Sequence, residues 1–355
     1  MNDSRKKILV VCSRVLGNKV LSQMYLDAFS KDDRFQVKEC PILEQDYQKH
    51  PAPFWKKKLS STLEAVCVTR QKLRDEVKDG DFKVVFFVGF ETALACADLA
   101  KRFPSVLVLD TTPALAHGLI RKSESSAGVR LRSALLGGLT SVWCRAVFRR
   151  IKAFLPTSEW CAESLVRDCG VETARVTALY PAIDLSEWRV PERRGRDGVS
   201  ILFVGNDFIR KGGDFLLNLY QRQFKQTCRL TVVSNDPVLK KLDCRDVEVA
   251  CDVSRTQIGG FFQRADIFVF PSRRDQLPLV VTEAMASALP VVARETGGIV
   301  DLVKDGHNGY LISYESGEDE WVTKIQYLVD HPEERARMGA NSRKLAEEMF
   351  GMEKF

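Results

Sequence analysis

Two carboxylates, Asp275 and Glu283, stand with seven residues between them around a proline turn in IFVFPSRRDQLPLVVTEAMASALPVVARETGGIVDLVKDGHNGYLI, residues 267–312. The run VVTEAMASALPVV is apolar on nearly every face, so its helix should be buried. A buried carboxylate without a partner costs on the order of several kcal/mol, and Glu283 must therefore meet a donor. Pro278 fits the first helical position, where its missing N–H costs nothing. The amides of Leu279 and Val280 then point out along the positive end of the helix. Such an end attracts phosphate, and a carboxylate just inside the same helix can accept hydrogen bonds from the two hydroxyls of a ribose diol. The chemistry these residues suit is a nucleotide diphosphate lying across a helix start.

Cations come from a second segment, SILFVGNDFIRKGGDFLL, residues 200–217. A short apolar strand ends at Gly205, and the loop after it carries Arg210 and Lys211 before Gly212 and Gly213 open a helix. Glycine permits close backbone approach, while the Arg fork and the Lys point charge suit phosphate oxygens. Together with the helix start, these two side chains could hold a leaving pyrophosphate.

On these two motifs the chain resembles the retaining glycosyltransferases of family 4, the glycosyl transferases group 1. The resemblance implies an α/β fold of the GT-B type, two doubly wound Rossmann-like domains facing across a cleft. It is strong over residues 200–312 and looser toward both ends. It further implies transfer of a sugar, a hexose in the usual case, from a nucleotide-sugar to a hydroxyl of a glycan or lipid-linked acceptor, with retention and without a metal. The nucleotide-sugar is then a co-substrate, and no cofactor is expected. Lys211 matches the phosphate-binding lysine of the family, Glu283 the ribose-binding glutamate and Asp275 the first acidic position, which contacts the donor sugar. The expected catalytic residues are Arg210, Lys211 and Asp275, and the expected donor-binding set is Gly205, Arg210, Lys211, Asp275, Leu279, Val280 and Glu283. Two departures stand out: Asn206 occupies a position where the family often has Arg, so Arg210 has to supply that charge, and Asp275 replaces the usual Glu.

Such residues need a scaffold. Apolar strands KILVVC, KVVFFVG, SVLVLD and AFLPTS alternate with helical stretches in the first half, and ILFVG, RLTVVS, DVEVA, IFVFPS and PVVAR do so in the second. Continuous apolar strands of this kind are buried parallel strands, which predicts two doubly wound α/β domains with both motifs at strand carboxyl ends. The polar, charged stretch between Tyr180 and Ser200 marks the break. We expect an acceptor-binding domain over residues 1–190, a nucleotide-sugar-binding domain over 191–340 and a crossing segment over 341–355.

Composition agrees. The chain has 355 residues, 45% apolar and 28% charged, an ordinary soluble balance for two domains. No apolar run approaches the ~20 residues needed to span a bilayer, and the start passes directly into a strand, so a cytoplasmic protein is expected. Ten cysteines are scattered with no CxxC pair, the pattern of small buried hydrophobes in a reduced compartment. No DxD or Asp/His cluster suggests a metal.

The acceptor side is less explicit. Gly17, in SRVLGNKVL, could let a substrate approach the backbone. Asp110 and His117, in DTTPALAHG, follow a strand end. Helix capping is an equal reading of Asp110, and a surface position is the commoner reading of His117.

From Ala114 to Leu155 eight Arg or Lys residues accompany one acid, Glu124, a local net of +7 against +6 for the whole chain. Leu139, Val142, Trp143, Ala146, Val147, Ile151 and Phe154 recur at helical spacing, with Arg145, Arg149 and Lys152 on the other side. This predicts either a core helix with a solvated basic face or one that touches an anionic membrane surface or a lipid-linked acceptor. With few aromatics interleaved, nucleic acid is not the expected partner. The alternative to catalysis is a nucleotide-sugar-binding partner subunit of the same fold. A phosphorylase would bring a cofactor-binding lysine motif that is missing here.

Overall fold

The apolar runs become the strands of two all-parallel sheets. Residues 5–14, 18–49, 61–77, 81–123, 126–190 and 198–352 are described in the computed structural model, which divides into two units, Met1–Pro181 and Ala182–Phe355. The first unit begins β1 (Lys6–Ser13), α1 (Asn18–Ser30), β2 (Phe35–Ile42), α2 (Glu44–Lys49) and α3 (Ser61–Glu76). It continues through β3 (Val84–Val88), α4 (Phe90–Ala95), α5 (Leu99–Arg102) and β4 (Ser105–Leu109). Then come α6 (Pro113–Ser123), α7 (Ala127–Phe148), β5 (Ala153–Pro156) and α8 (Glu159–Arg167). The strand order is β2-β1-β3-β4-β5.

Sequence reading missed β2, and its composition explains why. FQVKECPI alternates polar with apolar residues and holds a proline, as suits a sheet edge. It pairs only with β1, from Lys6 opposite Phe35 to Ser13 opposite Ile42. The central strands bury Leu9, Val11, Val85, Phe87, Leu107 and Leu109.

In the second unit β6 (Val199–Val204), α9 (Gly213–Leu219), β7 (Cys228–Val233), β8 (Glu248–Ala250) and α10 (Arg255–Arg264) precede β9 (Ile267–Phe270) and α11 (Leu279–Ala286). They are followed by β10 (Val291–Arg294), α12 (Ile299–Leu302), β11 (Gly309–Ile312), α13 (Glu318–Asp330) and α14 (Pro332–Phe350). The six strands run β11-β10-β9-β6-β7-β8, all parallel. Rings of Phe203, Phe268 and Phe270 stack through the sheet core. Residues 182–190 pack here as well: Ile183 N donates to Phe350 O at 3.0 Å, and Trp188 meets Phe262 edge to face at 5.3 Å. Residues 341–350 continue α14, where Arg343 Nη1 donates to Trp188 O and Ala286 O.

Chain order sets where a ligand can sit. The chain lays β6, β7 and β8 outward in one direction, then returns to place β9 beside β6, with Ile201 opposite Ile267. Between β6 and β9 the loops leave in opposite directions and open a crevice at the strand carboxyl ends, the general ligand position of doubly wound sheets. Both sequence motifs follow these two strands.

Candidate functional site

Gly205 ends β6, and a Cβ there would meet Lys211 Cδ at 2.6 Å. The missing side chain is what lets the lysine stem fold back over the strand end. Lys211 Nζ then lies 5.1 Å from the centre of the Phe270 ring and 2.9 Å from Asp275 Oδ2. Arg210 Nη1 approaches the same oxygen at 3.7 Å, and its Nε donates to Asp207 Oδ2 at 2.5 Å. Arg210, Lys211 and Asp275 are thus brought together across the switch point, with two cations converging on one largely buried carboxylate.

The loops are laced from both sides. Arg273 forks onto Asp214 with bonds of 2.7 and 2.8 Å, a bidentate pair that ties the β9 loop to the first turn of α9. Gly297, at φ +56, passes so close to this loop that a Cβ would meet Asp275 O at 2.0 Å. Gly298 N donates to Gln276 O at 2.5 Å. Asn206 is committed to the scaffold, its Oδ1 accepting from Asn235 N at 2.8 Å. Neither Arg273 nor Asn206 carries a signal of these contacts in sequence, since their partners lie far along the chain.

Helix α11 starts one residue later than expected. Pro278 is its N-cap, extended at φ −77 and ψ 113, and Leu279 and Val280 are its first two residues. Their N–H groups have no carbonyl one turn back within the helix, so the positive end still faces the crevice. Glu283 follows in the same helix, 2% exposed. The donor it requires is Arg255, whose Nη1 pairs with Glu283 Oε1, while the guanidinium lies 5.4 Å from the Trp188 ring centre. Burial pushes the Glu283 carboxyl up to about 7, against the opposing pull of Arg255. Arg255 is the main residue that sequence reading missed. Only the capping box of Ser254 and Gln257 marks its neighbourhood, and that signals a helix start.

On β10, Arg294 adds a further cation, held among the rings of Phe215, Tyr314 and Trp321 at 5.7, 5.1 and 5.4 Å. Among the described residues, no group of three or more His, Cys, Asp or Glu is placed to hold a metal ion.

In the first unit, Gly17 lies outside the described residues. Asp110 follows β4 directly. The cap on α6 comes from Thr112, whose Oγ1 accepts from Leu115 N at 3.3 Å. His117 sits within α6, its Nδ1 3.0 Å from Ser133 Oγ and its ring against Gly137 of α7. That imidazole is committed to helix packing. Glu91, the second residue of α4, is a group that sequence reading passed over: burial, with a smaller push from nearby Asp110, raises its carboxyl to about 7. Phe86 and Phe87 ahead of it gave only a strand signal.

Residues 186–345 match the family described as glycosyl transferases group 1. The D-inositol 3-phosphate glycosyltransferase 2 of Catenulispora acidiphila is 30% identical over 210 residues, 51% of this chain and 48% of that protein. The chain spans about half the length of the curated relatives it matches. Among solved structures, sucrose-phosphate synthase from Thermosynechococcus elongatus superposes with a TM-score of 0.77 at 15% identity, covering 98% of this chain and 96% of that one. HepE of Anabaena in complex with UDP gives 0.66 at 16% identity, with the same coverage. The fold, two parallel-sheet α/β domains, is that of GT-B glycosyltransferase structures.

Proposed function

We propose that the protein is a retaining, metal-independent glycosyltransferase that moves a sugar from a nucleotide diphosphate sugar to a hydroxyl of a glycan or lipid-linked acceptor. The observation that carries the reading is the convergence of Arg210 Nη1 and Lys211 Nζ on Asp275 at the switch point of the second sheet, beside the open N-terminus of α11. The family match over residues 186–345 and the relatives' names support sugar transfer, and the UDP complex of HepE, which shares the fold, supports a nucleotide ligand.

The donor diphosphate takes the α11 start and the two cations, and its ribose diol reaches Glu283. As the bond from the anomeric carbon to the phosphate oxygen breaks, Arg210 and Lys211 stabilise the charge that grows on the departing diphosphate. The acceptor hydroxyl attacks on the same face, forms the new C–O bond and passes its proton to the leaving oxygen beside it. Asp275, next to both cations, contacts the donor sugar. A double displacement would want two opposed carboxylates about 5 Å apart, and Asp275 and Glu283 instead serve successive parts of one ligand. The chemistry of the cationic pair can replace a divalent cation, and a cytoplasmic enzyme working on membrane-linked acceptors fits this reading.

The test is a screen of UDP-, GDP- and ADP-sugars for tightened thermal stability, followed by donor hydrolysis and transfer assays on the hits. Turnover of any of them supports the reading. Nucleotide-sugar binding with no turnover on any acceptor would leave the partner-subunit function in its place.

A further inference from the structure

The long helix α7 has two apolar faces, and only one of them is used. Ser133, Gly137, Cys144, Val147 and Phe148 are buried toward the first unit. Leu131, Leu135, Leu139 and Val142, at i, i+4, i+8 and i+11, are 65%, 64%, 71% and 61% exposed. That spacing places them on a single stripe of about three turns on the opposite side. The helix ends at Phe148, so Ile151 lies in the following turn and Phe154 on β5, and the face expected from residues 139–154 is split between core and solvent.

Single exposed apolar residues are ordinary, but a contiguous stripe is not. Five of the eleven exposed large hydrophobics among the described residues, Val129 included, belong to this one helix. By helical position Arg145 and Arg130 fall along one edge of the stripe and Arg132 along the other. Arg149 and Arg150 follow at its end, and all five are exposed. No Asp or Glu occurs from Ser126 to Ser158. A second copy of the chain would bring the same arginines against each other with no acid to offset them. An anionic surface that also accepts apolar side chains has the opposite property.

We propose that the outer face of α7 docks on an anionic membrane surface, with Leu131, Leu135, Leu139 and Val142 entering the acyl boundary and the flanking arginines meeting lipid headgroups. This stands apart from the sugar-transfer reading, because vesicle binding is measured without donor or acceptor.

The full chain should co-sediment with phosphatidylcholine vesicles containing phosphatidylglycerol and not with phosphatidylcholine alone. Replacing Leu135→Gln and Leu139→Gln together, at positions exposed enough to leave the fold intact, should lower binding at least tenfold. The triple change Arg132→Gln, Arg145→Gln and Arg149→Gln should lower it roughly a hundredfold at low salt. Unchanged thermal melting of both variants shows that the fold is kept. No binding to anionic vesicles overturns the proposal. So does a concentration-dependent oligomer of the parent that the leucine variant disperses, which would assign the stripe to a second copy.

Discussion

Glu283 is closed off by Arg255: the carboxylate is 3% exposed, the guanidinium over it 58%. The protein thus supplies the donor that a buried carboxylate needs, from a side chain that can move into water without unpacking the core. In the proposed function a ribose diol at Glu283 would displace a neighbour that is half in solvent and lies over the Trp188 ring, an exchange that costs little.

Replacing Glu283 with Ala removes the acceptor proposed for that diol. Nucleotide-sugar affinity should fall roughly ten- to hundredfold, the effect of losing a charge-assisted hydrogen bond of about 1.5 to 3 kcal/mol. Calorimetric titration measures it, and a variant that binds donor as tightly as the parent refutes the ribose assignment.

The same carboxylate makes a pH prediction. Its pKa is raised to about 7 from the ordinary 4.5, so between those values the folded chain holds a proton that the unfolded chain has lost. The contribution of this group to stability therefore declines as pH rises through that window. Donor binding has the reverse slope, because the diol donates to the ionised form: affinity should rise from pH 6 toward 8 and then level. Glu283→Gln should flatten both profiles. Since Glu91 is also raised to about 7, part of the stability slope should survive that substitution.

The two motifs were legible because each is a continuous local segment: an apolar strand, a glycine or proline turn and a helix start. Order along the chain was enough to place Lys211 and Asp275 at strand ends, and adjacency of β6 and β9 did the rest. Long-range partners were not legible. Arg255 sits 28 residues before Glu283, and nothing in its own neighbourhood points there. Helical periodicity also misled across residues 139–154, because Ile151 and Phe154 keep a helix-like spacing while the chain turns and enters β5. Edge strand β2, polar on alternate residues, lacks the continuous apolar run that marked the other strands of its sheet.

Gly297 should be intolerant of any side chain. At φ +56 an Ala there meets Asp275 O at 2.0 Å and Gln276 O at 2.7 Å, both backbone atoms, so the Asp275 loop must shift. Gly306, at φ +71 with nothing within 4 Å, is the control for backbone strain alone, about 1 to 2 kcal/mol. Gly297→Ala should lower the melting temperature more than Gly306→Ala and also weaken donor binding. Equal effects of the two, with donor affinity intact, would separate Asp275 from the site.

In the proposed mechanism Arg210 and Lys211 stabilise the charge that grows as the diphosphate leaves, so replacing either with Ala should lower turnover more than ground-state donor affinity. Both cations face Asp275. Part of the attraction a donor gains from them is therefore offset by contacts it displaces, whereas the extra charge of the transition state has no such offset. A kcat loss of a hundredfold or more with a donor Kd within about tenfold of the parent is the expected split, roughly 2.7 kcal/mol against 1.4. Parallel losses in both would make the pair a binding element alone. Since these side chains carry the charge stabilisation, activity should also persist in excess chelator, and a strict need for added Mg²⁺ or Mn²⁺ would assign that task to a metal.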